Sequence, residues 1–221
     1  MVKMDAAATQ ACEDRDFVEW HRGCTWCAAW VIRLERADVL EQVNQSRAAL
    51  QPWLLPRYDR QPHVTVAYRG LMDERAAHPH ATFRVQQLHE DIHRLQAAQL
   101  EPFVLALQGV GSFTTVPYLS VVHGLQLQQA HNALAPYARH SDGCYVPHVT
   151  LGHYASQMPM ATVVQHLQTT CCTEAVLTLD VSALWLARYR SSDIAGTLHF
   201  EGCFDLCTQT YQAQPGALMG L

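Results

Sequence analysis

Pro62-His63-Val64-Thr65-Val66 and Pro147-His148-Val149-Thr150-Leu151 are two copies of one short pattern, set 85 residues apart in the chain. In an extended strand successive side chains alternate between faces, so each copy puts an imidazole and a hydroxyl on one face and apolar groups on the other. The valines and Leu151 then anchor each strand in a core, and the polar pair faces a cleft. A lone His-x-Thr reads most simply as a structural histidine bonded to a backbone carbonyl. Repetition changes that reading, because two lobes related by a pseudo-two-fold axis would bring both polar faces to one central groove.

Working outward, 221 residues suffice for one ample core or two small lobes, and 49% hydrophobic with 16% charged residues reads as soluble and globular. A net charge of −5 argues against gripping long nucleic acid through a broad basic surface, which needs many phosphate contacts. It leaves room for a small nucleotide, a short oligonucleotide or an RNA end held by a few local arginines. No stretch approaches the ~18 apolar residues of a membrane helix, and Met1 to Asp16 lacks an apolar run followed by a cleavage site. The expectation is a cytoplasmic protein without membrane contact: residues 1–19 a flexible N-terminal tail, 20–207 one bilobal domain, and 208–221 a flexible C-terminal tail. Oligomeric state is left open.

Trp26 to Leu34 reads as a strand and Ala37 to Leu50 as a helix, with Pro52 and Pro56 breaking the chain before the first motif strand. Gly70 to Thr82 reads as a polar loop, and Phe83 to Leu100 as an amphipathic helix with Val85, Leu88, Ile92 and Leu95 on one face. Phe103 to Leu107 and Tyr118 to Val122 are predicted strands joined by Gly109-Val110-Gly111-Ser112-Phe113, and Leu125 to Tyr137 a helix. Asp142-Gly143 supplies a turn before the second motif. Met160 to Leu167 is a helix, Ala175 to Leu186 one strand, and Leu198 to Leu206 a last strand. Strands and helices interspersed in this way predict an α+β fold: bilobal and duplicated, with two mostly antiparallel sheets and flanking helices around a central cleft.

Cys24-x-x-Cys27, Cys171-Cys172 and Cys203-x-x-x-Cys207 invite a metal reading. Cys24 and Cys27 fall to opposite faces of a strand start, and Cys203 and Cys207 flank Phe204 and Leu206, so reduced, packed thiols are expected instead. His89-Glu90-Asp91-Ile92-His93 matches the helical zinc signature His-Glu-x-x-His. Among 13 histidines a chance match on a polar helix face is the simpler account, since Leu88, Ile92 and Leu95 explain that helix without zinc. No metal and no cofactor is expected.

The two motifs resemble the paired His-x-Thr signature of the 2H phosphoesterase superfamily, also called the 2′-5′ RNA ligase-like or cyclic phosphodiesterase family. The resemblance extends over roughly residues 20 to 207. Tyr68-Arg69-Gly70 is similar to the family's aromatic-x-Gly after the first motif, Gly109-Val110-Gly111-Ser112-Phe113 to its Gly-x-Gly-x-Phe loop, and Leu184 to Ser191 to its late strand. It implies a bilobal fold with both histidines in a groove, and metal-independent chemistry on a phosphodiester involving a ribose 2′ oxygen. Hydrolysis of 2′,3′-cyclic phosphates of nucleotides or RNA ends is the leading implication; 2′-5′ oligonucleotide cleavage and 2′-5′ RNA ligation are alternatives within the family.

Such hydrolysis needs a base to deprotonate water and an acid to protonate the leaving ribose oxygen, and imidazoles with an ordinary pKa of ~6.5 serve as either near neutral pH. His63 and His148 are the predicted catalytic pair. His148 is taken as base and His63 as acid, with the reverse kept open. Thr65 and Thr150 are predicted to donate hydroxyl bonds to the phosphate oxygens. Tyr68, Tyr154 and Arg69 are candidates for contact with base or ribose, with Arg188, Tyr189 and Arg190 on the late strand behind them. From other functional classes, a non-catalytic nucleotide or RNA-end binding module and a His-Glu-x-x-His zinc hydrolase remain the rivals.

Overall fold

Trp26–Arg33 (β1) is apolar up to its last residue because it is covered on both faces. Ala28, Trp30 and Ile32 enter the main core, whereas Ala29 and Val31 join Ala187 and Leu198 in a smaller apolar cluster on the opposite side. A strand buried twice has no reason to alternate polar with apolar residues. The computed structural model describes residues 7–72, 78–122, 124–135, 145–171 and 176–219. Around β1 the order is α1 (Val18–His21), α2 (Ala37–Leu50), a short 3-10 turn (Gln51–Trp53), β2 (His63–Met72), α3 (Val85–Ala98), β3 (Phe103–Ser112), β4 (Pro117–Val121), α4 (Leu125–Leu134) and β5 (His148–Thr150). It ends with α5 (Met160–Thr170), β6 (Leu177–Val181), β7 (Ala183–Arg190), β8 (His199–Asp205) and β9 (Thr210–Ala213).

These strands make two antiparallel sheets, one in the order β2-β1-β7-β8-β9 and the other β5-β4-β3-β6, so each sheet carries one motif strand. The helices bury single stripes in the main core: Val39, Val43 and Leu50 of α2, Leu88 and Leu95 of α3, Leu127 and Leu134 of α4, Val163 and Leu167 of α5. Spacings of four and seven residues put each set on one helical face. The α+β reading with two antiparallel sheets holds.

Several expected boundaries do not. The one strand expected from Ala175 to Leu186 is, in its described part from residue 176, two strands in different sheets, since β6 pairs with β3 and β7 with β1. A change of parity in the sequence marks the crossing: Leu179 and Val181 are buried, then Leu184 and Leu186. Gly109-Val110-Gly111-Ser112 is not a loop but the second half of β3. The register passes from Leu107↔Val121 to Val110↔Leu119, one extra residue on β3, and Gly109 at φ +83° supplies the backbone geometry of that bulge. Likewise β2 runs on through Gly70 to Met72, where a loop was expected. The Asp142-Gly143 turn and Cys172 lie outside the described residues.

Both presumed tails are tied down where they are described. Thr9 N–H donates to the Met158 carbonyl (2.8 Å), Gln10 N–H to Thr114 (2.7 Å) and Cys12 N–H to Tyr154 (2.8 Å), which straps residues 9–12 to the second lobe. At the other end β9 extends the first sheet, and the buried Glu201 carboxylate accepts from the N–H groups of Leu218 (2.7 Å) and Met219 (3.0 Å) while pairing with Arg188. A short polar strand such as Thr210–Ala213, with its largely exposed residues, carries little hydrophobic signal to read in advance.

Candidate functional site

β2 begins at His63 and β5 at His148, and the alternation read from the motifs is realised: Val64, Val66, Val149 and Leu151 are sealed in the main core. Register puts His63 opposite Arg33 and Thr65 opposite Val31 in the first sheet, and His148 opposite Ser120 and Thr150 opposite Tyr118 in the second. Thr65 therefore shares a face with Val31 and the small residues Ala29 and Ala187.

The two histidines are held alike. His63 Nδ1–H donates to the Gln61 carbonyl at 2.8 Å and His148 Nδ1–H to the Val146 carbonyl at 2.7 Å, each two residues upstream. A carbonyl only accepts, so Nδ1 keeps its proton and Nε2 is the nitrogen left to gain or lose one. Burial pushes the His63 pKa down to about 4; the bond to Gln61 opposes this, and the charges of Arg60, His148 and Arg47 add to it. That His148 bears on His63 places both rings in one electrostatic neighbourhood. Burial also lowers His148, opposed by its bond to Val146. Its walls are Phe113 and Tyr118, with centroids 5.0 and 5.3 Å from the imidazole.

The first motif strand is clamped where it departs from regular pairing. Trp30 pairs with Ala67 but Val31 with Thr65, which leaves Val66 as the extra residue of a bulge. Tyr145 Oη donates to the Thr65 carbonyl (2.8 Å) and His131 Nδ1–H to the Val66 carbonyl (2.7 Å), and their rings stack in parallel 4.0 Å apart. A helix residue and the approach to β5 thus fix the strand that carries His63 and Thr65.

A strap, residues 51–62, delivers side chains that the motifs do not announce. It is pinned by Leu55 N–H to His153 O (2.8 Å), Ala155 N–H to Trp53 O (2.9 Å), Asp59 N–H to Ala195 O (2.8 Å) and the paired bonds of Gln61 with Leu198 (3.1 and 2.7 Å). Tyr58 lies under the Arg47 guanidinium (4.9 Å) and meets the edge of His153 (5.4 Å). Arg60 lies over the Tyr189 ring at 4.0 Å and donates from Nε to the Gly196 carbonyl (3.2 Å). The signal in the sequence is Tyr58-Asp59-Arg60, a polar triplet between two prolines and the first motif.

The family model of the 2′-5′ RNA ligase superfamily matches residues 34–193, more than half of the chain and a span that contains both motifs. The chain belongs to this superfamily. No curated protein matches it. Among solved structures, a protein of Thermus thermophilus is similar at 16% identity over 81% of this chain and 97% of its own, with a TM-score of 0.53. E. coli LigT is similar in its complex with NADP+ at 20% identity, 80% and 94% coverage and TM-score 0.50, and in its apo form at 19% identity, 86% and 94% coverage and TM-score 0.50. At these identities the likeness is one of fold, and it supports the bilobal architecture described above.

Within that superfamily fold the remaining candidates separate. Tyr68 is opposite Ala29, on the face of Thr65, half-exposed, with its hydroxyl 3.9 Å from Cys27 Sγ. Arg69 is not at the groove: its Nε donates to the buried Asp91 carboxylate (2.8 Å) and its Nη1 to the Leu134 carbonyl (2.8 Å). The bulge at Val66 reverses the alternation counted from Thr65, so Tyr68 rather than Arg69 falls on that face. Tyr154 is also removed from the groove, fully buried with its hydroxyl 2.7 Å from Ser112 Oγ, because β5 ends at Thr150 and the chain turns before Tyr154. Arg188 pairs with Glu201 and lies over Trp26, as does Arg190, away from the face of Tyr189. On α3, His89 and His93 are exposed, Glu90 pairs with Arg94, and Asp91 between them is buried; among the described residues no three metal-ligating side chains gather. Among the described residues Cys12, Cys27, Cys171, Cys203 and Cys207 are free thiols, and Cys24 Sγ lies 2.9 Å from His78 Nδ1. No helix among the described residues is long and apolar enough to cross a membrane.

Proposed function

We propose that this protein is a phosphodiesterase acting on a phosphodiester that involves a ribose 2′ oxygen, and that it hydrolyses 2′,3′-cyclic phosphates of nucleotides or RNA ends without a metal. The observation that carries this reading is the matched tether of the two histidines, which leaves one Nε2 on each motif strand for proton transfer. The likeness to a LigT structure holding NADP+ favours a nucleotide-sized ligand. Free thiols fit a reducing compartment, and we place the protein in the cytoplasm.

His63 is the better base. Burial holds its ring neutral and the charges of Arg60, His148 and Arg47 add to that, whereas His148 is lowered by burial without such cations. This reverses the assignment made from sequence. His63 Nε2 takes a proton from water as the water oxygen bonds to phosphorus; His148 Nε2–H gives its proton to the ribose oxygen as the P–O bond breaks. Thr65 and Thr150 donate to the non-bridging oxygens, where negative charge grows. The same pair run backwards would join ends, so product analysis separates hydrolysis from ligation.

The pH profile follows. A base must be neutral, so rate rises with pH through its pKa; an acid must be protonated, so rate falls through its own. Both pKa values of the free protein lie below the ordinary histidine value. The kcat/KM optimum is therefore expected below about pH 6.5, and the kcat optimum above it, since a bound anion raises the acid's pKa. A kcat/KM optimum above about pH 7.5 would contradict the burial of both rings.

The deciding experiment is turnover of 2′,3′-cyclic nucleotides by purified protein in excess EDTA. Persisting activity supports the paired-histidine reading, and a 2′ or 3′ phosphate in the product names the leaving oxygen. Activity abolished by EDTA and restored by zinc would return His89 and His93 to consideration, and stoichiometric binding without product would favour a binding module.

A further inference from the structure

Each motif ends on a carbonyl that lies outside its own sheet ladder. Val66 is the extra residue of the bulge in β2, and Leu151 is the first residue after β5 stops; both are fully buried. A buried carbonyl outside a ladder needs a donor from elsewhere. His131 Nδ1–H supplies it to Val66 (2.7 Å), and Arg47 Nε–H supplies it to Leu151 (3.2 Å). Val66 and Leu151 are equivalent positions, the fifth in Pro62-His63-Val64-Thr65-Val66 and in Pro147-His148-Val149-Thr150-Leu151.

The donors correspond as well, and they cross. Arg47 is on α2, which joins β1 to β2 of the first sheet, yet its bond goes to the second motif; His131 is on α4, which joins β4 to β5 of the second sheet, yet its bond goes to the first. Arg47 precedes His63 by 16 residues and His131 precedes His148 by 17. The helices themselves reach across in the same sense: Gln42 Nε2–H of α2 donates to the Cys171 carbonyl after α5 (3.1 Å), and α4 packs on β2. Arg47 does more than His131. Its Nη2–H donates to the Arg60 carbonyl (3.3 Å), three residues before His63, so one half-buried guanidinium ties the backbone just past Thr150 to the backbone leading into the first motif. A planar fork with fixed N–H directions holds two acceptors at a set separation, which a flexible ammonium does not.

We propose that Arg47 is a positioning residue that sets the two motif strands relative to one another, with His131 as its counterpart on the first motif. The inference rests on the function proposed above, in which His63 and His148 act on one phosphodiester. Those two rings stand on edge strands of different sheets, so no ladder fixes their separation, and side-chain bonds to the motif backbones do so instead. A misplacement of about 1 Å in such a pair costs about 10²-fold in rate, so the brace is read in kcat.

Arg47→Met keeps the apolar stem and removes both donors. It is expected to lower kcat for a 2′,3′-cyclic nucleotide by about 10–100-fold with KM within about threefold, measured well below the unfolding transition. His131→Phe keeps a ring against Tyr145 without the donor and should lower kcat by about tenfold, and the double variant should lose little more than the worse single one, since one alignment is lost either way. Imidazole signals in proton–carbon NMR spectra, assigned from the Ala variants, read the same placement without substrate. Arg47→Met should shift the signals of both His63 and His148 and leave His89 and His93 on α3 in place. If Arg47→Met does not fold, Arg47→Lys decides: its ammonium cannot reproduce the fork, and kcat should fall by about fivefold. A kcat kept while Tm falls would make Arg47 a brace of the fold alone, a raised KM with kcat kept would put it on the substrate, and an unmoved His148 signal would confine it to the strap; each overturns the inference. Failure of the functional reading looks different: wild type turns over no cyclic nucleotide, while the joint shift of His63 and His148 in Arg47→Met still upholds the positioning.

Discussion

Replacing His63 or His148 by Ala is expected to lower kcat for a 2′,3′-cyclic nucleotide by about 10²–10⁴-fold each, the usual contribution of a placed general acid or base. At about 1.4 kcal/mol per tenfold change, that is roughly 3–5 kcal/mol of barrier. The double variant should lose little more than the worse single one, because proton removal and proton delivery serve one transition state. The two variants differ in how they respond to the leaving group. With a 4-nitrophenyl phosphodiester, whose leaving oxygen needs no proton, the loss in His148→Ala should shrink by at least about tenfold while that in His63→Ala persists. Shrinkage in His63→Ala alone would restore His63 as the acid. Unchanged activity in both would remove the imidazoles from the chemistry. Folding is a small concern, since the hydrogen bond lost with each ring is local, to a carbonyl two residues away.

That pair was legible because period-two alternation and chemistry coincide in five residues. Val64, Val66, Val149 and Leu151 must be inside, so His63, Thr65, His148 and Thr150 must face the other way. The rest of the groove is not local in sequence. Tyr58 and Arg60 arrive on an irregular strap whose course is set by backbone bonds to both lobes, and no periodicity describes such a segment. Tyr68 and Arg69 are neighbours in sequence with equal claims on the groove. Strict alternation from Thr65 would put Arg69 on its face and Tyr68 on the other; the bulge at Val66 reverses that parity, and a bulge is a register fact that alternation alone does not reveal. Tyr154 looks like the counterpart of Tyr68 until β5 proves to be three residues long, after which strand parity no longer applies to it. The split of Ala175 to Leu186, by contrast, was available: the buried positions change from odd to even at Ser182, which one strand does not do.

The resemblance of His89-Glu90-Asp91-Ile92-His93 to a metal signature hides the residue there that matters to the fold, and replacing Asp91 by Ala is expected to be among the most destabilising single changes in the protein. Asp91 is fully buried and accepts from Trp30 Nε1 (2.9 Å), Arg69 Nε (2.8 Å) and Arg94 Nη1 (3.4 Å). It thereby joins α3 to β1 and β2, and through Arg69 to the end of α4. Removing one member of a buried pair leaves the other charge uncompensated, at a cost of about 3–5 kcal/mol. For a chain of this length that corresponds to a fall in Tm on the order of 10 °C in thermal unfolding. Because the cost lies in the orphaned guanidinium, Asp91→Leu combined with Arg69→Met should be more stable than Asp91→Ala, each apolar chain filling part of the vacated volume. The same variants separate structure from recognition at Arg69. An arginine that held the nucleotide would raise KM when replaced, whereas one that braces α3 against the motif strand lowers Tm and leaves KM within about twofold, measured well below the transition. A Tm unchanged in Asp91→Ala would show that Arg69 and Arg94 find water or other acceptors, and that the ion pair contributes nothing net to the fold.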